Sequence, residues 1–193
     1  MGWEHFKGEP VKQDKEKMGC WAACMSWWLA SVRKINWSMQ DIASLYKIYT
    51  AAPGPDCTIG GLTDAGVKAM FADNRWSIFQ NWLSRAAGQI DLKTLDSHLS
   101  CSPTFISYYD PALKGAHMNV IIARSEGEDP FLYVMDPDCS TYVRRKLNYY
   151  TEKSQRLCLL QLNSGIIKPN KTLKNGDTAY ELRLITSMIL EEV

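Results

Sequence analysis

The chain has 193 residues, a length that suits one domain of ordinary size, which we place over 1–193. Hydrophobic residues make up 46% and charged residues 22% of the sequence, as is typical of a soluble globular protein. The net charge of +1 gives no sign of a nucleic-acid or membrane-surface partner.

The six cysteines include no CxxC pair, so zinc ligation by cysteine is not expected. The chain is long enough to bury a core without disulfides, and we therefore expect free thiols ahead of a disulfide framework. No metal or other cofactor is expected.

Residues 1–19 are predicted to form an extended, polar lead-in. They lack the apolar region of a secretory signal, and no stretch approaches the roughly 18 uncharged apolar residues of a membrane-spanning helix. We therefore expect no cleavable signal peptide, no membrane insertion and a cytoplasmic location in the producing cell. Export by a route that does not require a cleavable signal is the alternative.

Helical periodicity and capping residues predict four helices in the first half of the chain, over 20–34, 38–46, 63–72 and 92–99. The first is apolar almost all round, which is typical of a central, buried helix. Ser38 and Thr63 are the expected N-caps of the second and third helices.

A short strand over 76–79 is also expected. The second half then changes to alternating periodicity and predicts four strands, over 104–109, 117–123, 131–135 and 157–162. The turn residues of 126–130 predict an antiparallel hairpin between the second and third of these strands. Helices followed by an antiparallel sheet indicate an α+β fold.

Residues 165–193 are expected to form a C-terminal extension. It consists of a polar loop over 168–177 and an apolar run over 180–190, whose periodicity fits either a strand or a helix.

Cys20 follows Gly19 at the predicted first turn of the central helix. A helix N-terminus carries partial positive charge and free N–H groups, both of which favour a thiolate. Cys20 is therefore the candidate nucleophile, with a buried structural role as the alternative. Cys24 lies one turn further on, inside the helix, and is expected to belong to the core.

His117 is one of three histidines and opens an apolar strand, while Asp136 ends the next strand and precedes a proline. The two positions are nearly symmetric about the predicted turn, so cross-strand pairing would bring them together. An acid beside an imidazole fixes its tautomer and stabilises its cation. Asp138 and Asp129 are the alternatives for this acid, and a simple turn is the alternative role for Asp136.

Gln13 supplies a side-chain amide that, with the N–H of Cys20, would hold a developing oxyanion. Trp21 directly follows the thiol and is the candidate substrate-binding wall of a cleft. His98 is expected to be a solvated or capping helix residue, and the pair Arg144–Arg145 a solvated strand edge.

The residues and motifs of the site lie in the order Gln13, Gly19-Cys20-Trp21-Ala22-Ala23, Gly115-Ala116-His117 and Val134-Met135-Asp136-Pro137. This order resembles papain-like cysteine peptidases, above all the bacterial Cys-Trp-Ala-Ala group of peptidase-C39-like proteins and effector proteases of the C70 type. The resemblance covers roughly residues 11–162. It implies a helical lobe packed on an antiparallel sheet, Cys20 as nucleophile, His117 as base, Asp136 as orienting acid and Gln13 as oxyanion donor.

We therefore expect a cysteine peptidase that hydrolyses peptide or isopeptide bonds, of the kind that bacteria secrete as effectors or toxins. The alternatives are a glutamine deamidase or transglutaminase-like toxin, a peptidoglycan cross-bridge amidase, and a catalytically silent binding module. The expected partner is a protein or peptide substrate, with a cognate immunity or inhibitor protein as a further candidate. Delivery to a target cell by a specialised secretion system is an expectation from the resemblance alone.

Overall fold

The structure is a computed structural model that describes residues 8–13, 18–76, 78–83, 91–112, 114–139, 141–153, 157–161, 166–172 and 178–183. For 79–83, 161, 166–172 and 178–183 only the backbone is described. Most of the predicted lead-in, 1–7 and 14–17, and the end of the predicted apolar run, 184–190, lie outside the described residues.

Five α-helices are present in the described part of the chain: α1 Cys20–Trp28, α2 Met39–Leu45, α3 Asp64–Ala72, α4 Leu92–Leu99 and α5 Asn148–Lys153. Helix α1 continues as a π-helix over Leu29–Arg33, so the predicted long first helix is confirmed. Both predicted caps are confirmed as well, because Ser38 accepts a hydrogen bond from the N–H of Asp41 and Thr63 accepts one from the N–H of Gly66.

Eight strands are present in the same described segments: β1 Phe79–Leu83, β2 Thr104–Asp110, β3 Gly115–Arg124, β4 Phe131–Met135, β5 Tyr142–Lys146, β6 Leu157–Gln161, β7 Ile166–Thr172 and β8 Thr178–Arg183. The first six form one antiparallel sheet in the order β1-β6-β2-β3-β4-β5, and β7 pairs with β8 alone. The α+β class is confirmed.

Two predictions about strands are wrong. The short strand expected over 76–79 begins only at Phe79, because Trp76 belongs to a turn after α3 and its N–H donates to the carbonyl of Asp73. The polar loop expected over 168–177 is a strand up to Thr172, because the backbone of β7 is paired with β8. Strand β5 and helix α5 were not expected. Strand β5 lies at a sheet edge, and its alternate residues are exposed or only partly buried, which leaves a weak hydrophobic pattern.

The central sheet is apolar on both faces. One face packs against α1, α2 and α3, through residues that include Phe105, Val120, Met135 and Leu160. The other face packs against α4 and α5, through residues that include Ile106, Ile121, Leu132, Val134 and Leu159. The alternation along each strand therefore serves two separate cores, one on either side of the sheet.

Helix α1 lies at the centre of the first core. All nine of its residues are buried, and it packs against β3 and α2. Trp28 anchors it, because its indole N–H donates to the carbonyl of Pro103 at 3.1 Å, just before β2 begins. The C-terminal end of α1 is thereby fixed beside the start of β2.

Among the described residues, no helix is both long enough and apolar enough to cross a membrane.

Replacing Leu132 by alanine should lower the free energy of unfolding by about 2–5 kcal/mol, because its side chain is fully buried in the second core and a cavity would remain. Urea denaturation measures this change. Ile48→Ala is the control, since Ile48 is 84% exposed and its loss should change stability by less than about 0.5 kcal/mol. Equal effects of the two substitutions would contradict the described core.

Candidate active site

Cys20 is the first residue of α1 and lies in the wall of a cleft of about 370 Å³. Its N-cap is Gly19, which has no side chain to bond the N–H groups of the first turn. Cys20 is 8% exposed, and its side chain is close enough to His117 to raise the pKa of the imidazole. The predicted nucleophile therefore lies at the positive end of a buried helix and against a histidine.

His117 lies near the start of β3 and is 3% exposed. Its Nε2 is 3.2 Å from Oδ1 of Asp136, so Nδ1 is the ring nitrogen left for Cys20. Tyr108, directly opposite on β2, meets the imidazole ring edge-on with the ring centres 5.6 Å apart. The ring is therefore held between a thiol and a carboxylate, with an aromatic wall beside it.

The β3–β4 hairpin brings His117 and Asp136 together, although their register is not the symmetric one. Val120 pairs with Met135 and Ile121 with Val134, so position 119, not 117, would stand opposite position 136. His117 lies two residues before position 119 on β3, on the same face of the sheet. It therefore reaches the carboxylate of Asp136 diagonally.

The electrostatics of the pair follow from burial and from hydrogen bonding. Burial lowers the pKa of His117, but the hydrogen bonds to Asp136 and Cys20 raise it more, to about 10. Burial raises the pKa of Asp136, but the hydrogen bonds from His117 and from the N–H of Asp138 lower it to about 2. Near neutral pH the histidine is therefore cationic and the aspartate anionic.

Arg145 is a part of the site that the sequence analysis missed. Its guanidinium donates to Oδ2 of Asp136, and its side chain is 18% exposed. The guanidinium also stacks over the ring of Tyr149, 4.1 Å from its centre. The expectation of a solvated edge is therefore wrong for Arg145. Only Arg144, whose side chain lies over the ring of Phe131, is exposed.

Gln13 lies beside the Asp136–Asp138 turn. Its backbone N–H donates to the carbonyl of Pro137 at 2.9 Å, and its side-chain amide donates to Oδ1 of Asp138. Asp138 in turn has its other oxygen, Oδ2, 3.6 Å from Nε2 of His117. The structure thus brings Gln13 close to the predicted site, with its amide donor engaged by a carboxylate and not directed at Cys20.

His117, Asp136 and Asp138 also form a cluster of metal-ligand types, with one ligand atom of each within 4.8 Å of the others. Two of the three groups already have strong donors, because Arg145 bonds Asp136 and Gln13 bonds Asp138. A cation would meet the guanidinium charge at this position. These contacts favour an ion-pair network over a metal site.

Trp21 lies in the wall of the cleft and is 4% exposed. Its indole N–H donates to the carbonyl of Gly60 at 3.2 Å. A side chain at position 60 would not fit, since a Cβ atom there would lie 1.8 Å from the carbonyl oxygen of Ala51. The glycine therefore allows the close approach of two loop segments that support the tryptophan.

The rest of the cleft is largely apolar. Besides Cys20, Trp21 and His117, its side chains include Met18, Leu62, Val67, Met70, Phe71 and Leu160. Lys114 at its rim adds a positive charge. The cleft can therefore take an apolar group beside the Cys20–His117 pair.

Two other candidate residues have structural positions. Cys24 is fully buried and donates to the carbonyl of Met118 at 3.3 Å, and its burial raises the pKa of its thiol well above the usual value. His98 is 4% exposed, and its Nδ1 lies 3.1 Å from Oγ1 of Thr104, so the expectation of a solvated residue is wrong. Its position on the inner face of α4 explains the burial.

Searches of protein-family models and of curated proteins find no match to this chain.

The raised pKa of His117 has a consequence for stability. A histidine whose pKa is raised by folding, from 6.5 to about 10, stabilises the fold fully below pH 6.5 and loses this contribution as the pH rises towards 10. We expect the difference in urea midpoint between the wild type and His117→Gln to shrink over that range. Parallel pH profiles for the two proteins would contradict the described pair.

His98 provides a control of opposite sign. Burial lowers its pKa from 6.5, so its contribution to stability is present above pH 6.5 and is lost as the pH falls below it. The profile of His98→Gln should therefore depart from that of the wild type on the acid side of 6.5, and not between 6.5 and 10.

Proposed function

We propose that this protein is a papain-like cysteine hydrolase that cleaves peptide or isopeptide bonds through Cys20, His117 and Asp136. The observation that carries the proposal is the buried arrangement at the wall of an apolar cleft, with Cys20 against His117 and His117 bonded to Asp136. A nucleophile, a base within reach and a third group that orients the base are the parts that covalent catalysis requires.

The reaction begins from the ion pair in which His117 is the cation and the Cys20 thiol has already given up its proton. The sulfur attacks the carbonyl carbon of the substrate, and the carbonyl oxygen becomes an oxyanion. The imidazolium then gives its proton to the leaving amine, the C–N bond breaks, and a thioester remains on Cys20. Water, deprotonated by His117, attacks the thioester and releases the acid and the free thiol.

Each side chain has a separate role in this reaction. Proton transfer by a positioned histidine is worth about 10²–10⁴-fold in rate. Asp136 stabilises the imidazolium and keeps Nδ1 directed at the sulfur, because it occupies Nε2. The N–H of Cys20, at the start of α1, is the candidate donor to the oxyanion.

Gln13 is the proposed second oxyanion donor, and this role requires a rearrangement. Its amide is bonded to Asp138, so the Gln13–Asp138 contact has to open before the amide can face a substrate oxygen. Substrate binding beside His117 would supply the energy for this change, since a peptide carbonyl is an alternative acceptor.

The substrate proposal follows from the cleft and from the resemblance. An apolar cavity with few polar groups suits a peptide segment with an apolar side chain next to the reacting carbonyl. Action as a secreted bacterial effector or toxin, delivery by a specialised secretion system and an immunity or inhibitor partner belong to the same proposal and rest on the resemblance.

The test is the appearance of new protein N-termini in a cell lysate treated with the protein, read by mass spectrometry. Wild type should generate them and Cys20→Ala should not. Cys24→Ala is the matched control, because Cys24 lies one helical turn away in the core, and it should retain the cleavages. New termini with both wild type and Cys20→Ala, or with neither, would overturn the peptidase proposal.

The same samples separate the alternatives. Conversion of glutamine side chains to glutamate without new termini, dependent on Cys20, would indicate a deamidase. Activity against purified peptidoglycan alone would indicate a cross-bridge amidase. If the folded wild-type protein shows neither peptide cleavage, deamidation nor activity on peptidoglycan, the binding module is the alternative that remains.

A further inference from the structure

Asp136 is held at both of its carboxylate oxygens. Oδ1 lies 3.2 Å from Nε2 of His117 and accepts the N–H of Asp138 at 3.0 Å. Oδ2 accepts a hydrogen bond from the guanidinium of Arg145, which is the one donor to that oxygen within the described part of the chain. The carboxylate is 2% exposed, so water is a poor substitute for any of these donors.

Stability is a weak reason for the position of Arg145. A half-buried guanidinium loses hydration, and a buried ion pair often contributes little net stability. Arg145 also has a buried Nε with no hydrogen-bond partner among the described residues. An apolar side chain at position 145 would cover Tyr149 without this unsatisfied donor, but it would leave Oδ2 of Asp136 without the guanidinium.

The geometry of Arg145 suits orientation. Strand β5 pairs with β4 along its whole length, and the pairing of Leu132 with Arg145 fixes the backbone from which the guanidinium extends. The ring of Tyr149, on α5, limits where the guanidinium can lie. A planar donor held on two sides fixes the torsion of the carboxylate that it bonds.

We propose that Arg145 is a positioning residue of this site, which by holding Oδ2 of Asp136 keeps Oδ1 directed at Nε2 of His117 and so leaves Nδ1 for Cys20. The inference rests on the proposed function for the reaction that this arrangement serves. Arg145 touches neither Cys20 nor the cleft in the described contacts, and it acts through Asp136 alone.

The first test is a double-mutant cycle on the rate at which iodoacetamide alkylates Cys20, measured by peptide mass spectrometry. Arg145→Met should slow alkylation about tenfold or more, the effect typical of losing a group that orients an imidazole through another residue. Asp136→Asn should slow it at least as much. Because Arg145 acts through Asp136, the double variant should be no slower than Asp136→Asn.

Matched variants separate orientation from damage to the fold. Arg144→Met removes the neighbouring arginine of the same strand, which lies over the ring of Phe131, and should leave the rate unchanged. Arg145→Lys keeps the charge without the planar fork and should restore part of the rate. A rate for Arg145→Met equal to that of Arg144→Met, or effects that multiply in the double variant, would overturn the inference.

A second readout does not depend on any reaction. In a Cys20→Ala background, at a pH at which the ring of His117 is neutral, ¹⁵N NMR reports which ring nitrogen carries the proton. We expect the Nε2–H tautomer in this background and after Arg144→Met, and a mixture of tautomers after Arg145→Met. His117→Gln assigns the signals among the three histidines.

The two readouts fail in distinguishable ways. An unchanged tautomer after Arg145→Met overturns the role of Arg145 even where Cys20 cleaves peptides. A tautomer that changes as expected in a protein without Cys20-dependent activity supports the role of Arg145 and rejects the proposed function.

Discussion

The hydrogen bond between His117 and Asp136 is the interaction on which the rest of the site depends. Both side chains are almost fully buried, and burial by itself disfavours the charge on each. Both groups stay charged because the imidazolium and the carboxylate attract each other, and because Arg145 and the N–H of Asp138 donate hydrogen bonds to the same carboxylate. A partner missing from this network would leave an uncompensated charge in the interior.

The fold provides this network from segments far apart in sequence. Helix α1 is buried on all sides, so its position between the sheet and the other helices is fixed, and Cys20 at its start is fixed with it. The β3–β4 hairpin carries His117 and Asp136, and the edge strand β5 adds Arg145. A large apolar core on each side of the sheet thus stabilises a small polar cluster at its end.

Local features could be predicted from the sequence, and features that depend on distant partners could not. Ser38 and Thr63 bond to residues three positions away, so composition and spacing revealed both caps. The hairpin that joins His117 to Asp136 was predictable from its turn. The ion pair of Arg145 and the burial of His98 depend on tertiary packing, which no sequence pattern indicates. Strand β5 lies at a sheet edge and exposes alternate residues, so its hydrophobic pattern was too weak to predict a strand.

The central claim is that Cys20 and His117 act as one pair, and the rate of Cys20 alkylation by iodoacetamide at mildly acidic pH tests it most directly. The account predicts that wild-type Cys20 is modified far faster than Cys20 in His117→Ala, while the exposed Cys101 reacts alike in both proteins. Equal rates at Cys20 in the two proteins would contradict it, because the reactivity of the thiol would then not depend on the histidine beside it.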